Sequence, residues 1–124
     1  MKMVLTLLGV VFVVMGLLGF VNDPVLGVFE VDILHNVIHI LSGVLALAAV
    51  GMGVDMMRLY AKVFGVVYGL VGVVGFVMPG DMILGLFEAN LADDLLHVAL
   101  AAVFLYVGFI MKENDSNMPP QATM

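Results

Sequence analysis

The sequence predicts an all-α, integral-membrane four-helix bundle made of two tandem helical hairpins, related by a pseudo-two-fold axis along the membrane normal. Three observations predict it. Of 124 residues, 64% are hydrophobic and only 11% charged. A domain this small has too much surface for its volume to hide that many apolar groups from water. The apolar residues also gather into four long runs, and the second half of the chain repeats the first.

The first span, expected over 3–21, carries no charge. The second is expected over 33–54 and is uncharged apart from its histidines. The third and fourth, over 59–78 and 92–111, have shorter apolar cores, Val63–Met78 and Leu95–Met111. Crossing hydrocarbon takes about 20 helical residues and at least roughly 17, which Leu59–Lys62 and Leu91–Asp94 complete. Backbone polarity then requires each span to be helical. Lys2 before an apolar run looks like a secretory signal, but no small-x-small site follows and the run recurs later, so a retained helix is expected. Residues 1–112 form the transmembrane domain on this reading, and the polar tail 113–124, with Pro119–Pro120, is expected to be disordered and cytoplasmic.

Four basic residues, Lys2, Arg58, Lys62 and Lys112, orient the bundle. They fall at the N-terminus, the second connection and the C-terminus, so the positive-inside rule places both termini in the cytoplasm of a multi-pass cell-membrane protein. Seven of the ten acidic residues (Asp23, Glu30, Asp32, Asp81, Glu88, Asp93 and Asp94) fall on the outer side. Tyr60 is expected as an anchor at the inner interface. Pro24 and Pro79–Gly80 end the first and third helices. Val25–Val31 and Ile83–Ala89 are too short to span and are expected to lie over the outer mouth.

Gly9–Val21 aligns without gaps on Gly65–Val77, identical at seven of thirteen positions. After a two-residue insertion, Leu26–Glu30 aligns on Leu84–Glu88. His39 then falls on His97, His35 on Asp93, Asn36 on Asp94 and Asp32 on Asn90. Two spans per repeat keep both copies in one orientation. Gly65, Gly69, Gly72 and Gly75 trace one side of the third helix, and Gly9, Gly16 and Gly19 partly repeat it. Small residues let helix backbones approach closely where no hydrophobic effect separates helix from lipid.

The chain has no cysteine, which excludes disulfides, thiolate ligands and thiol nucleophiles. It has no basic run, so nucleic acid is not an expected partner. A lipid bilayer is, and a homo-oligomer or a membrane-protein partner is compatible. No nucleophile–base pair, phosphate loop or dinucleotide fingerprint stands out, so the reading leans away from an enzyme.

The chemistry-bearing residues are His35, His39, Asp93 and His97. Each pair is four apart and shares one helix face. If the faces meet, three imidazoles and a carboxylate converge, a sufficient set for a divalent metal such as zinc. Asn36, Asp94, Glu30, Glu88 and Asn90 would orient those ligands. His35 and Asp93, one turn nearer the outside, are expected to be the more solvated pair. The same residues also suit a hydrogen-bond network that only ties helices together. The methionines would suit Cu(I), but most sit where Met is ordinary apolar filler.

Leu34, His35, Asn36, His39 and Gly43, with Asn90, Ala92, Asp93, Leu96 and His97, give the chain two motif blocks, LHNxxHxxxG and NxADxxLH. In these it resembles the small four-helix membrane family called domain of unknown function 4383. Asp94 stands where that family has asparagine and Leu95 where tryptophan is frequent, and the first outer loop is shorter than in many members. The resemblance implies the four-helix fold and no particular activity.

The leading functional reading is a structural or accessory membrane protein with an outward-facing His/Asp cluster. The alternative is a zinc-type metal-binding membrane protein involved in metal handling. A proton- or ion-coupled carrier, or a membrane enzyme using the histidines, comes third. The orientation is directly testable: a reporter fused after Lys112 should read cytoplasmic and one inserted at Asp81 external, and the reverse pattern refutes it.

Overall fold

A computed structural model describes residues 1–21, 32–78 and 90–112, and the backbone alone at 82–83 and 87–88. Pro24, Val25–Val31, Pro79–Gly80, most of Ile83–Ala89 and the tail 113–124 lie outside the described residues. Four helices dominate: α1 (Lys2–Gly19), α2 (Ile33–Met52), α3 (Val54–Val77) and α4 (Leu91–Leu105). The last continues into a π-helical turn, Tyr106–Ile110. Between α3 and α4, Met82–Ile83 and Phe87–Glu88 pair as an antiparallel two-residue ladder. All four helices are long and apolar enough to cross a membrane. Their outward faces carry large exposed apolar side chains, among them Leu7, Leu17, Leu41, Leu70, Leu95 and Phe109.

The helix starts follow from local chemistry. Asp32 caps α2 by accepting from the His35 backbone N–H at 2.8 Å. Asn90 caps α4, accepting from Asp93 N–H at 2.9 Å, while Asp93 Oδ2 accepts from Asn90 N–H at 3.0 Å. This reciprocal arrangement satisfies two donors that a helix start otherwise leaves unpaired. The two caps occupy equivalent positions of the sequence repeat.

The connection from α2 to α3 is one residue, Gly53, at φ 111°. An L side chain rarely adopts that backbone conformation, so the turn requires glycine. Because it is so tight, α3 starts at Val54 rather than near Leu59, and Arg58 and Lys62, expected in the connection, lie inside the helix. Arg58 Nη1 donates to three carbonyls at the end of the fourth helical run: Val107 at 3.4 Å, Gly108 at 3.2 Å and Met111 at 2.9 Å. A cation there offsets the negative end of the helix dipole and satisfies carbonyls that have no partner within the helix. Lys62 lies over the Phe109 ring, 5.1 Å from its centroid.

Within each hairpin, glycines bring the helices together at repeat-equivalent places. A Cβ on Gly9 would meet Leu47, and one on Gly65 would meet its equivalent, Leu105. Gly16 faces Ile40 and Gly72 faces Val98. Gly19 lies against the Asn36 amide and Gly75 against the Asp94 carboxylate. These contacts make α1–α2 and α3–α4 the tightly packed pairs.

The hairpins meet at a central aromatic core. Phe12 and its repeat equivalent Tyr68 stack at 5.4 Å between ring centroids and 14° between planes. Phe104 stacks on Phe12 at 6.1 Å. Tyr60 is buried and stacks on Phe64 at 4.2 Å. The ring, expected as an anchor at the inner interface, is turned into the core. With α3 starting at Val54, Tyr60 sits about 9 Å along the helix, at 1.5 Å per residue.

Not every glycine on α3 is equally crowded. A Cβ on Gly69 would meet only the Ala101 Cβ at 3.6 Å, whereas one on Gly72 would fall 2.7 Å from a Val98 methyl. Gly72→Ala should therefore lower thermal stability in detergent by about 1–3 kcal/mol, the range for overpacking, and Gly69→Ala should not. Equal melting of Gly72→Ala and wild type would contradict the close packing.

Candidate metal centre

α2 presents His35 and His39 one turn apart, and α4 presents His97 from the other hairpin. The three rings meet in the interior. Centroid separations are 4.5 Å for His35–His39, 5.7 Å for His35–His97 and 6.2 Å for His39–His97. One potential ligand atom from each imidazole lies within 4.8 Å of the other two. His35 Nε2 and His39 Nε2 are 3.0 Å apart.

All three histidines are buried, at 1%, 6% and 2% exposure in chain order. Asp93 is buried too, at 2%. The expectation that His35 and Asp93 would be the solvated pair is corrected, because capped helix starts and close hairpins cover this level. Asp93 Oδ2 is engaged in the cap of α4, and among the described residues the group whose ligand atoms come together is made of the three histidines.

The supporting residues divide similarly. Asn36 and Asp94 are buried against Gly19 and Gly75 respectively. Asn90 is the cap of α4. Glu30 lies outside the described residues, as does the side chain of Glu88. Two buried polar atoms, Asn36 Oδ1 and His97 Nδ1, find no hydrogen-bond partner among the described residues. A buried polar atom without a partner costs free energy comparable to a lost hydrogen bond or more.

Two further residues belong to this site and were not singled out as such by their sequence context. Tyr68 on α3 lies 5.5 Å from the His97 ring, centroid to centroid. Its hydroxyl is 2.8 Å from Ser42 Oγ on α2. Tyr60 then donates to the Ser42 carbonyl at 2.8 Å, fixing that turn from the inner side. The available signal was a mismatch within the repeat, since Tyr68 aligns with Phe12 and Ser42 with Leu100. On the opposite side, Phe12 meets His39 edge-on at 5.4 Å and 78°, offering no donor or acceptor.

The donor set is one that a transition-metal ion accepts. Three neutral imidazoles are good zinc ligands, at Zn–N distances of about 2.0–2.1 Å. A tetrahedral centre built on those bonds spaces its nitrogens about 3.3 Å apart, so the His35–His39 pair at 3.0 Å would open slightly while separations of up to 4.8 Å would close.

Chain residues 2–110 match the family described as domain of unknown function, DUF4383, and the protein belongs to that family. No curated protein and no solved structure matches the chain.

The hydroxyl pair across the α2–α3 seam should contribute modestly to stability. Tyr68→Phe leaves Ser42 Oγ without this partner, and a loss of about 0.6 kcal/mol is expected from the average for interhelical bonds in membranes. Ser42→Ala should cost a similar amount, and the double variant little more than either. Strictly additive losses in unfolding assays would show that the hydroxyls do not depend on one another.

Proposed function

We propose that this chain is a multi-pass protein of the cell membrane, with both termini cytoplasmic, that binds a divalent metal ion of the zinc type through His35, His39 and His97. The two hairpins are related by a pseudo-two-fold axis along the membrane normal. That symmetry is supported by the matching glycine contacts of Gly9 and Gly65, Gly16 and Gly72, and Gly19 and Gly75. Insertion in a bilayer is supported by the four apolar helices and their exposed Leu, Val and Phe side chains. An aqueous surface with that much contiguous apolar area would aggregate.

The metal reading rests on one observation: three buried histidines, drawn from both hairpins, bring ligand atoms within 4.8 Å of one another. His97 Nδ1 adds weight, because a network serving only to tie helices would have paired it. Asp93, proposed from sequence as a fourth ligand, is better assigned to capping α4.

A second reading, a purely structural tie, is favoured by the 3.0 Å His35–His39 contact, which neutral imidazoles can make as a hydrogen bond. The two readings differ in stoichiometry. Protein purified in detergent and reloaded with Zn²⁺ should hold about one ion per chain, the count for a single tetrahedral site. His39→Ala and His97→Ala should each abolish that binding, while Asp93→Asn should retain it. Absence of specific Zn²⁺ binding by the folded wild-type protein would leave only the structural tie.

A further inference from the structure

We infer that the three-histidine centre is of the open type, with an exchangeable fourth position that faces a small cavity between α2 and α3 and takes water or a small anion. The inference rests on the metal reading above and adds where, and for what, the centre is open.

The cavity measures about 120 Å³ and touches all three histidines, together with Ser42, Tyr68, Val67 and Val71. One water occupies about 30 Å³ of liquid, so the space suits a few waters or one triatomic anion and excludes bulky ligands. Most of its wall is the carbon surface of these side chains, so a ligand there would bind through the metal.

The fold supplies its own comparison. A second cleft, between α1 and α4, is lined by Leu8, Val11, Phe12, Met15, Leu96 and Leu100, with His39 the one histidine it reaches. Every one of these residues is the repeat equivalent of one in the first cavity: Leu8 of Phe64, Val11 of Val67, Phe12 of Tyr68, Met15 of Val71, Leu96 of Ile38 and Leu100 of Ser42. The bundle therefore has the same opening on both sides, and only the α2–α3 side has hydroxyls beside it and all three histidines on its wall.

Among the described residues, the converging ligand set consists of the three histidines. Phe12 covers the α1 side with an aromatic edge. The Asp93 carboxylate is held by the backbone of Asn90. Three histidines with one exchangeable position are the ligand set of a metal that polarises a bound water or anion, whereas structural zinc sites are closed by four protein ligands. Tyr68 and Ser42, whose hydroxyls are 2.8 Å apart, both line this cavity.

The test uses the full chain in detergent, loaded with Co²⁺, whose visible bands report coordination, and titrated with azide. Wild type should show Co²⁺ bands that shift on adding azide. Val67→Phe and Val71→Phe, which fill the α2–α3 cavity, should keep Co²⁺ and lose the azide shift. Val11→Phe and Met15→Phe, their equivalents in the other cleft, should keep both. Wild-type bands that form but ignore azide would overturn the open position and leave the metal site standing. An azide shift that survives both cavity variants, or disappears in the Val11 and Met15 variants instead, would overturn its location. Failure of folded wild type to bind Co²⁺ or Zn²⁺ would overturn the metal reading and this inference with it.

Discussion

Close approach of paired helices is the constraint on which this structure depends. Apolar side chains gain little by leaving lipid for one another, so helix association relies on close packing and a few polar contacts. The glycines of α1 and α3 allow it. Where Gly16 meets Ile40 and Gly72 meets Val98, no larger residue fits without displacement. That proximity fixes the rotation of α2 and α4, and rotation decides which faces turn inward. Asn36 and Asp94 are pressed against Gly19 and Gly75, and His35, His39 and His97 are carried to the centre of the bundle.

Much of this was legible before any coordinates. The four helices, their order and the meeting of His39 with His97 all follow from apolar runs and the internal repeat. Those signals are periodic and survive averaging over many residues. What the sequence hid depends on single turns. One glycine at positive φ lets α3 start at Val54, which puts Arg58 within that helix and against the carbonyls that end the fourth. Asp93 was legible as a carboxylate one turn from His97, but spacing could not say whether it would face a metal or its own helix cap. The capping box shows Oδ2 engaged at the helix start.

The repeat also explains why Tyr68 was passed over, while Ser42, one turn from His39, reads as an ordinary small residue of a membrane helix. Alignment draws attention to what the halves share, namely glycines, LGxFE and a histidine. The chemistry gathers where the halves differ. Tyr68 stands for Phe12, Ser42 for Leu100 and His35 for Asp93, and all three polar substitutions in this set border one seam. Symmetric packing holds the frame, while departures from symmetry make one of two equivalent clefts chemically distinct.

The histidines come two from α2 and one from α4, so a bound ion would join the hairpins as well as offer a reactive position. Anything that binds the folded form alone stabilises it by mass action, through RT ln(1 + [L]/Kd). Holding structure together and binding a metal are therefore not competing uses of the same three rings. The hydroxyl contacts from Tyr68 to Ser42 and from Tyr60 to the Ser42 carbonyl join α2 to α3 independently of the ion. They hold one side of the cavity in place whether or not the imidazoles are ligated. A frame fixed by glycine contacts and hydroxyl bonds would keep the helices in place while the imidazoles turned to reach a common ion.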